Sequence, residues 1–189
     1  IILCLSVCVL FVERGLKDYG SLDLSSVMVD AITYAEEGHF LIEGEAKRLE
    51  SVNKELNEFK GTREYFTNSD GSPLKSGKLL IQKDLSNVLK AISTQGSSVF
   101  YTGWIAKKMI EDNKKNGGVL SMKALASYEA KTSHIVSGNY RGYDLNALWM
   151  PAFGAITIEA LHILELLNGD LSNKYDWAES IYQAIDAAY

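Results

Sequence analysis

Two prolines and two cysteines in 189 residues leave this chain without the means for two whole architectures. So few cysteines cannot staple a disulfide scaffold, and so little proline cannot build a collagen or polyproline rod. Charge of one sign is also not in excess. The 19 basic and 24 acidic side chains leave a formal net charge of −5. A nucleic-acid surface needs a basic stripe to neutralise phosphates, so no nucleic-acid partner is expected. The few basic pairs, Lys107-Lys108 and Lys114-Lys115, flank Glu111 and Asp112 and read as a solvated helix face. With 47% apolar and 23% charged residues the composition is globular rather than disordered. The length suits one domain, or a large piece of one, with a core of ordinary size.

Long hydrophobic runs are scarce as well. The longest, residues 1–11 (IILCLSVCVLF), is far short of the roughly 20 residues that span a bilayer. Two readings stay open for it: a buried helix or strand entering the core, or the apolar centre of a targeting peptide. Its length fits the about 7–15 residues of such a centre, but it lacks the basic flank and the small-residue cleavage site. Residues 1–11 therefore stand apart from residues 12–189, which read as one partial domain. Cys4 and Cys8 are four apart and share a face if this run is helical. A disulfide between them would strain the helix, so two buried thiols are expected. The chain begins at Ile1 rather than Met and ends within a helical pattern, which predicts an internal segment of a longer protein.

What is present is helix-forming pattern with clear punctuation. Asp23 or Ser25 can cap a helix through Val27, Ala31, Ile32 and Ala35 that stops at Gly38. Ile42, Ala46, Leu49, Val52, Leu56 and Phe59 recur at three- and four-residue steps and predict one amphipathic helix. Glu43 with Lys47 and Glu50 with Lys54 line its solvent side. Ser69-Asp70-Gly71-Ser72-Pro73 is a turn. Asp84 is read as the cap of a helix through Leu85, Val88, Leu89 and Ile92 that stops near Gly96. A helix through Ile105, Met109 and Ile110 ends at Asn116-Gly117-Gly118, and Ser121 caps a short one reaching Tyr128. The period then changes. His134 to Val136 and Tyr143 to Leu148 read as two strands joined through a turn at Gly138-Asn139. After Pro151 a helix carries Ile156, Ala160, Ile163, Leu164 and Leu167 and ends at Asn168-Gly169-Asp170. Asp176 to Glu179 reads as a capping box for a last helix. The fold class predicted is α+β, mostly helical with one hairpin.

Little in this pattern points to chemistry. There is no phosphate-binding or dinucleotide glycine motif and no Cys/His cluster with metal spacing. His39, His134 and His162 are far apart, and His162 on an apolar helix face reads as structural. Gly117-Gly118 could bring bare backbone to a ligand but reads as a helix stop. Thr132-Ser133-His134 resembles the start of a threonine-nucleophile segment, in which the amine of a newly freed Thr serves as base for its own hydroxyl. Such a threonine must open a strand of a layered sheet, and only one strand pair follows Thr132 before helices resume. No catalytic, cofactor-binding or metal-ligating residue is assigned, and no cofactor is expected.

Several stretches taken together resemble one family, the gamma-glutamyltranspeptidases among the N-terminal-nucleophile hydrolases. Lys17-Asp18-Tyr19-Gly20-Ser21-Leu22 is similar to that family's KYG-x-L segment, and Ala31 to His39 to AI-x-LAE-x-GF. Gly71 to Gly77 resembles G-x-PL-x-x-G, Gln82-Lys83-Asp84-Leu85 resembles Q-x-DLA, and Phe100-Tyr101-Thr102-Gly103 matches FY-x-G. Asn116 to Tyr128 resembles the NGG segment, and Val136 to Tyr143 the PISG-x-YRGY segment. The order and spacing of these pieces, from about Val12 onward, carry the likeness. In this register Thr132 precedes the hairpin and is not the nucleophile.

Departures are as specific. Cys4, Ser6, Val7 and Phe11 stand where the family's G-V-P-G-x-V-x-G run has Gly, Pro, Gly and Gly. Trp149-Met150-Pro151-Ala152-Phe153-Gly154-Ala155 replaces PPP-x-SGG, the loop that frames the family's active site, and Ala124 replaces an Asp. The resemblance implies a large-subunit portion of a four-layer αββα fold. The family's carboxylate-gripping arginine, catalytic threonine and oxyanion glycines have no counterpart in these residues. It further implies a parent that self-cleaves and transfers gamma-glutamyl groups from glutathione-like donors to water or amino acids. The partner implied is a small subunit carrying the threonine, and the location implied is outside the cytoplasm. The 189 residues alone are expected to be inactive and, with apolar surface uncovered, poorly soluble. Two alternatives stand: a related acylase or gamma-polyglutamate depolymerase, and a non-catalytic helical scaffold or binding protein derived from the family.

Overall fold

The computed structural model describes residues 2–167 and 173–189, with side chains from Cys8 onward. It divides into two compact units, Ile1–Ala130 and Lys131–Tyr189.

In the first unit α1 (Ile2–Tyr19) is one helix that runs unbroken past Phe11. Its Val9 and Leu10 pack on the core, whereas Phe11 and Cys8 are exposed. The thiol of Cys8 is thus at the surface, not buried as expected, because its helix lays only one narrow face on the core. Helix α2 (Leu24–Glu37) starts where expected, with the Asp23 carboxylate accepting from Ser26 N at 2.7 Å, and stops at Gly38. Next comes an element the sequence pattern did not announce. Strand β1 (His39–Phe40) pairs antiparallel with β2 (Leu79–Leu80), with His39 opposite Leu80, so the described residues form two small sheets rather than one hairpin. Two-residue strands carry too little alternation to be read.

The single helix predicted over residues 42–59 is instead three short ones: α3 (Glu43–Ser51), α4 (Asn53–Glu58) and α5 (Lys60–Phe66). None of the three has a fully buried residue, so their apolar stripe faces too little core to hold a continuous helix. The break at Val52 separates Glu50 from Lys54, while Glu43 and Lys47 still meet at 3.4 Å. The turn at Ser69 to Pro73 forms as read, with Asp70 Oδ1 accepting from Ser72 N at 2.9 Å.

The core lies between α6 (Lys83–Gln95), α7 (Ser98–Tyr101) and α8 (Trp104–Lys115). Ala91, Ile92, Val99, Phe100, Tyr101 and Ile105 form its buried centre. The cap of α6 is Gln82; Asp84 sits inside the first turn, where its carboxylate accepts the Tyr65 hydroxyl at 2.9 Å. Helix α9 (Met122–Ala126), capped by Ser121 as expected, buries Leu125 against Ala106 and Ile110. Among the described residues no helix is long and apolar enough to cross a membrane.

The second unit begins with a hairpin of β3 (Ile135–Tyr140) and β4 (Tyr143–Leu148), carried in full register from Ile135 opposite Leu148 to Tyr140 opposite Tyr143. Its turn is Arg141-Gly142, with φ of 49° and 80°, the positive pair a two-residue type I′ turn demands. Gly138-Asn139, read from sequence as the turn, lies within β3. The reason is packing. A Cβ on Gly138 would stand 2.5 Å from Ile158 Cγ2 of α10 (Gly154–Leu166), so this strand position needs glycine for close approach rather than for turning. The last helix, α11 (Lys174–Ala188), is capped by Asn173, whose Oδ1 accepts from Tyr175 N at 3.0 Å. Asp176 lies in its first turn, so the capping box read at Asp176 to Glu179 is replaced by an earlier cap. The stop read at Asn168-Gly169-Asp170 lies outside the described residues. The result is α+β and mostly helical.

Candidate functional site

The three histidines do not converge. His39 on β1 is in the first unit, with Nε2 3.4 Å from Glu45 Oε1. The other Glu45 oxygen accepts from Ile42 N at 2.9 Å, so this carboxylate serves the start of α3. His134 precedes β3 in the second unit. Its backbone carbonyl accepts from Trp149 N at 3.0 Å, and its ring meets the Trp149 indole edge-on at 6.1 Å. His162 on α10 donates from Nε2 to the Asn139 carbonyl at 3.0 Å, a structural bond between helix and strand. These partners are a carboxylate, an indole and a backbone carbonyl, and none of them is a hydroxyl or thiol that a histidine base would activate.

Thr132 and Ser133 lie in exposed chain before β3, where Ser133 Oγ donates to the His134 carbonyl at 3.2 Å. Thr132 opens no strand, as a threonine nucleophile would have to. Gly117-Gly118 ends α8, with Gly117 at φ 75°. Among the described residues no group of three or more His, Cys, Asp or Glu side chains could hold a metal ion.

Residues 149–153 join β4 to α10 and occupy the place of the loop that, by resemblance, frames an active site. Trp149, Met150 and Phe153 are exposed here, giving the loop an apolar rim with no acid or base of its own. Its exit is fixed by Gly154. A Cβ there would lie 2.1 Å from the Leu148 carbonyl and 2.7 Å from Ala147 Cβ, so only glycine lets α10 start this close to β4. At the far end of α10, Glu165 Oε1 accepts from Arg141 N at 3.0 Å and holds the hairpin turn. Between α10 and α11 lies an apolar cavity of about 450 Å³, with Phe153 stacked on Tyr189 at its rim.

Several polar ties in the first unit were missed from sequence because their partners are distant in the chain. Glu13 accepts from the backbone N of Ser97 at 3.1 Å and from the Ser97 hydroxyl, joining α1 to the start of α7. Lys90 and Glu36 meet at 2.5 Å across α6 and α2, and the hydrogen bond from Lys90 holds the Glu36 carboxyl below its ordinary range. Burial, then the hydrogen bond with Asp84, pushes the Tyr65 phenol up. Burial likewise raises Tyr101, whose ring stacks on Tyr128. Each tie fastens helices together, and none sits beside a nucleophile with an oxyanion donor. In the second unit the loop at residues 149–153 runs from the hairpin into α10.

Comparison with known proteins agrees with that geometry. Residues 9–189 match the gamma-glutamyltranspeptidase family. The chain is 32% identical over 155 residues to the glutathione hydrolase proenzyme of Escherichia coli (strain K12), covering 82% of this chain and 26% of that protein. It is 30% identical over 148 residues to the capsule biosynthesis protein CapD proenzyme of Bacillus anthracis, covering 78% of this chain and again 26% of the relative. The crystal structure of Helicobacter pylori gamma-glutamyltranspeptidase superposes with a TM-score of 0.83 at 31% identity, covering 91% of this chain and 51% of that one. The chain thus spans about a quarter of the length of these curated relatives. With nearly its whole length matched, hairpin and framing loop included, the chain belongs to the gamma-glutamyltranspeptidase family.

Proposed function

We propose that this chain is large-subunit scaffold of a self-processing gamma-glutamyl transferase or glutathione hydrolase. In the whole protein a threonine freed by self-cleavage attacks the gamma-carbonyl of a glutathione-like donor, with its own amine taking the proton. A gamma-glutamyl ester forms, the donor's amine leaves, and water or an amino acid then takes the acyl group. Backbone donors stabilise the tetrahedral oxyanion, typically by several kcal/mol. None of these groups is assigned to the 189 residues. Their task is to hold the backbone on which a small subunit closes.

The single observation that carries the reading is the superposition over 91% of this chain on a gamma-glutamyltranspeptidase at 31% identity. The test is release of nitroaniline from gamma-glutamyl-p-nitroanilide. The whole protein, with the reading frame completed on both sides of these residues, should yield two subunits on a denaturing gel and turn the substrate over. The 189-residue chain alone should release nothing, and turnover by it would overturn the scaffold reading. A location outside the cytoplasm belongs to the same proposal and is tested by cell fractionation.

A second reading, a non-catalytic descendant of the family, is favoured by one observation. Residues of α1 form continuous helix where the family's glycine run is expected. Absence of a Thr followed by Thr or Ser and then His downstream of Tyr189 in a complete reading frame would favour it.

A further inference from the structure

The end of α8 carries a sequence and a geometry whose chemistry the scaffold role does not use. Asn116 is followed by Gly117 at an exposed helix terminus. In such a pair the glycine nitrogen can attack the asparagine Cγ. The nitrogen loses its proton to solvent base, the Cγ–Nδ2 bond breaks, ammonia leaves, and a five-membered succinimide closes. Water then opens the ring at either carbonyl to give aspartate or isoaspartate. No oxidant, metal or cofactor enters, and glycine suits the step because it puts no side chain in the way. Around Gly117 a Cβ would meet nothing within 4 Å, and both residues are exposed, so the turn is open to solvent.

Both reacting groups are nevertheless tied down in the fold. The nucleophile, Gly117 N, donates to the Lys114 carbonyl at 3.1 Å. The leaving group, Asn116 Nδ2, donates to the Asp112 carbonyl at 2.9 Å and to Asp112 Oδ1 at 3.2 Å. Gly118 N donates to the Asn113 carbonyl at 2.7 Å, while Asn113 Oδ1 accepts from Leu120 N at 2.8 Å. The last turn of α8 must fray before Gly117 N can reach Cγ, so the rate of the reaction is the intrinsic rate scaled by the fraction of time the turn is open.

We propose that Asn116-Gly117 is a site of spontaneous deamidation whose rate is set by the opening of the α8 C-cap. The product feeds back on the cap. A carboxylate at residue 116 sits at the negative end of the helix dipole, one turn from Asp112, and has lost both donor bonds of the amide. The modified turn therefore favours its open state. Opening loosens the Asn113–Leu120 link to α9 and, with it, the packing of Leu125 on Ala106 and Ile110. The device is a clock for ageing of this corner, independent of the catalytic reading.

The experiment incubates the whole protein that contains these 189 residues at mildly alkaline pH beside a synthetic peptide of residues 110–123. Conversion is followed in the tryptic peptide of residues 116–123 by mass and by isoaspartate-specific methylation. That peptide is separate from the one containing the other Asn-Gly pair, Asn168-Gly169. The folded chain should convert roughly tenfold or more slowly than the peptide, the factor expected for an opening cost of about 1.4 kcal/mol or more. Lys114→Gly, which weakens the last turn of α8 without touching either reacting group, should accelerate the folded chain several-fold and leave a peptide carrying the same change unaffected. Asn116→Asp should speed hydrogen exchange at Gly118 and Leu120. Equal rates in chain and peptide, no conversion in either, or no acceleration by Lys114→Gly would overturn the gated site. Unchanged exchange in Asn116→Asp would overturn the feedback.

Discussion

Around Phe100, helices α6, α7 and α8 close a core whose aromatic and aliphatic centre is almost fully shielded. Helix α10 of the second unit is more apolar by sequence, yet among its residues only Gly154 and Ile158 are buried, and Leu166 at its end is 79% exposed. The difference teaches that an apolar stripe becomes core only where another surface is shaped to cover it. In the first unit α1, α2 and α8 each lend a face, so Val99, Phe100 and Tyr101 of α7 are all buried. In the second, a two-stranded hairpin and one helix leave an open apolar cavity of about 450 Å³. Apolar surface left in water contributes nothing to stability, whereas the buried kind contributes roughly 25 cal/mol per Å².

The sharpest test removes one large side chain from each region. Phe100→Ala should cost about 3–5 kcal/mol, read as a lower urea midpoint, because the surrounding helices cannot collapse into the space. Leu164→Ala, on the wall of the open cavity, should cost only about 1 kcal/mol. Equal losses would break the comparison. Adding atoms probes a place where the second unit is tight. Gly154→Ala forces a Cβ to within 2.1 Å of the Leu148 carbonyl, so a loss of about 1–3 kcal/mol is expected with local exchange around Ala147 and Leu148.

A smaller effect of opposite sign belongs to the well-packed unit. Ser86 on α6 is 1% exposed and its hydroxyl has no hydrogen-bond partner. Ser86→Ala should raise the melting temperature, by about 1 kcal/mol of stability, since an unsatisfied buried hydroxyl is removed. A drop would show the hydroxyl to be bonded. The smallest effect is electrostatic. Glu36 is held below its ordinary value of 4.5 by Lys90, so the stability it contributes is present above that pH and is lost as pH falls through the lowered value. Both side chains are more than two-fifths exposed, so the effect is modest. Lys90→Met should flatten the acid limb of the stability profile measured by urea titration, and an unchanged limb would remove the pair from the account.

Much of this was legible in the residues themselves. Asp23, Ser121, Gly38, Gly96 and Gly117 mark helix ends in the sequence and mark them in the structure, because caps are satisfied by atoms a few positions away. The family likeness was legible for the same reason, as short motifs kept in order. Gly138 was misread because glycine serves turns and close approaches alike, and only Ile158, twenty residues on, decides between them. The continuous helix read over residues 42–59 failed because periodicity shows which face could be buried and not whether anything buries it. Asp84 and Asp176 were taken as caps two and three positions late, since an acidic residue suits both the cap and the first turn. Of the candidate site, the loop after β4 could be read directly, as a departure from the family's motif. Glu13 on Ser97 and Glu165 on Arg141 could not, because those partners lie 84 and 24 positions apart.

By itself, then, the order of residues determined the helical character, most of the helix stops, the presence of a hairpin and the family. These depend on contacts within one or two turns of chain, which sequence spacing encodes directly. Tertiary structure alone decided which apolar faces were covered, where the hairpin turned, which short strands paired and which charges met. Those outcomes depend on surfaces brought together from distant positions, where shape and burial rather than local preference set the free energy.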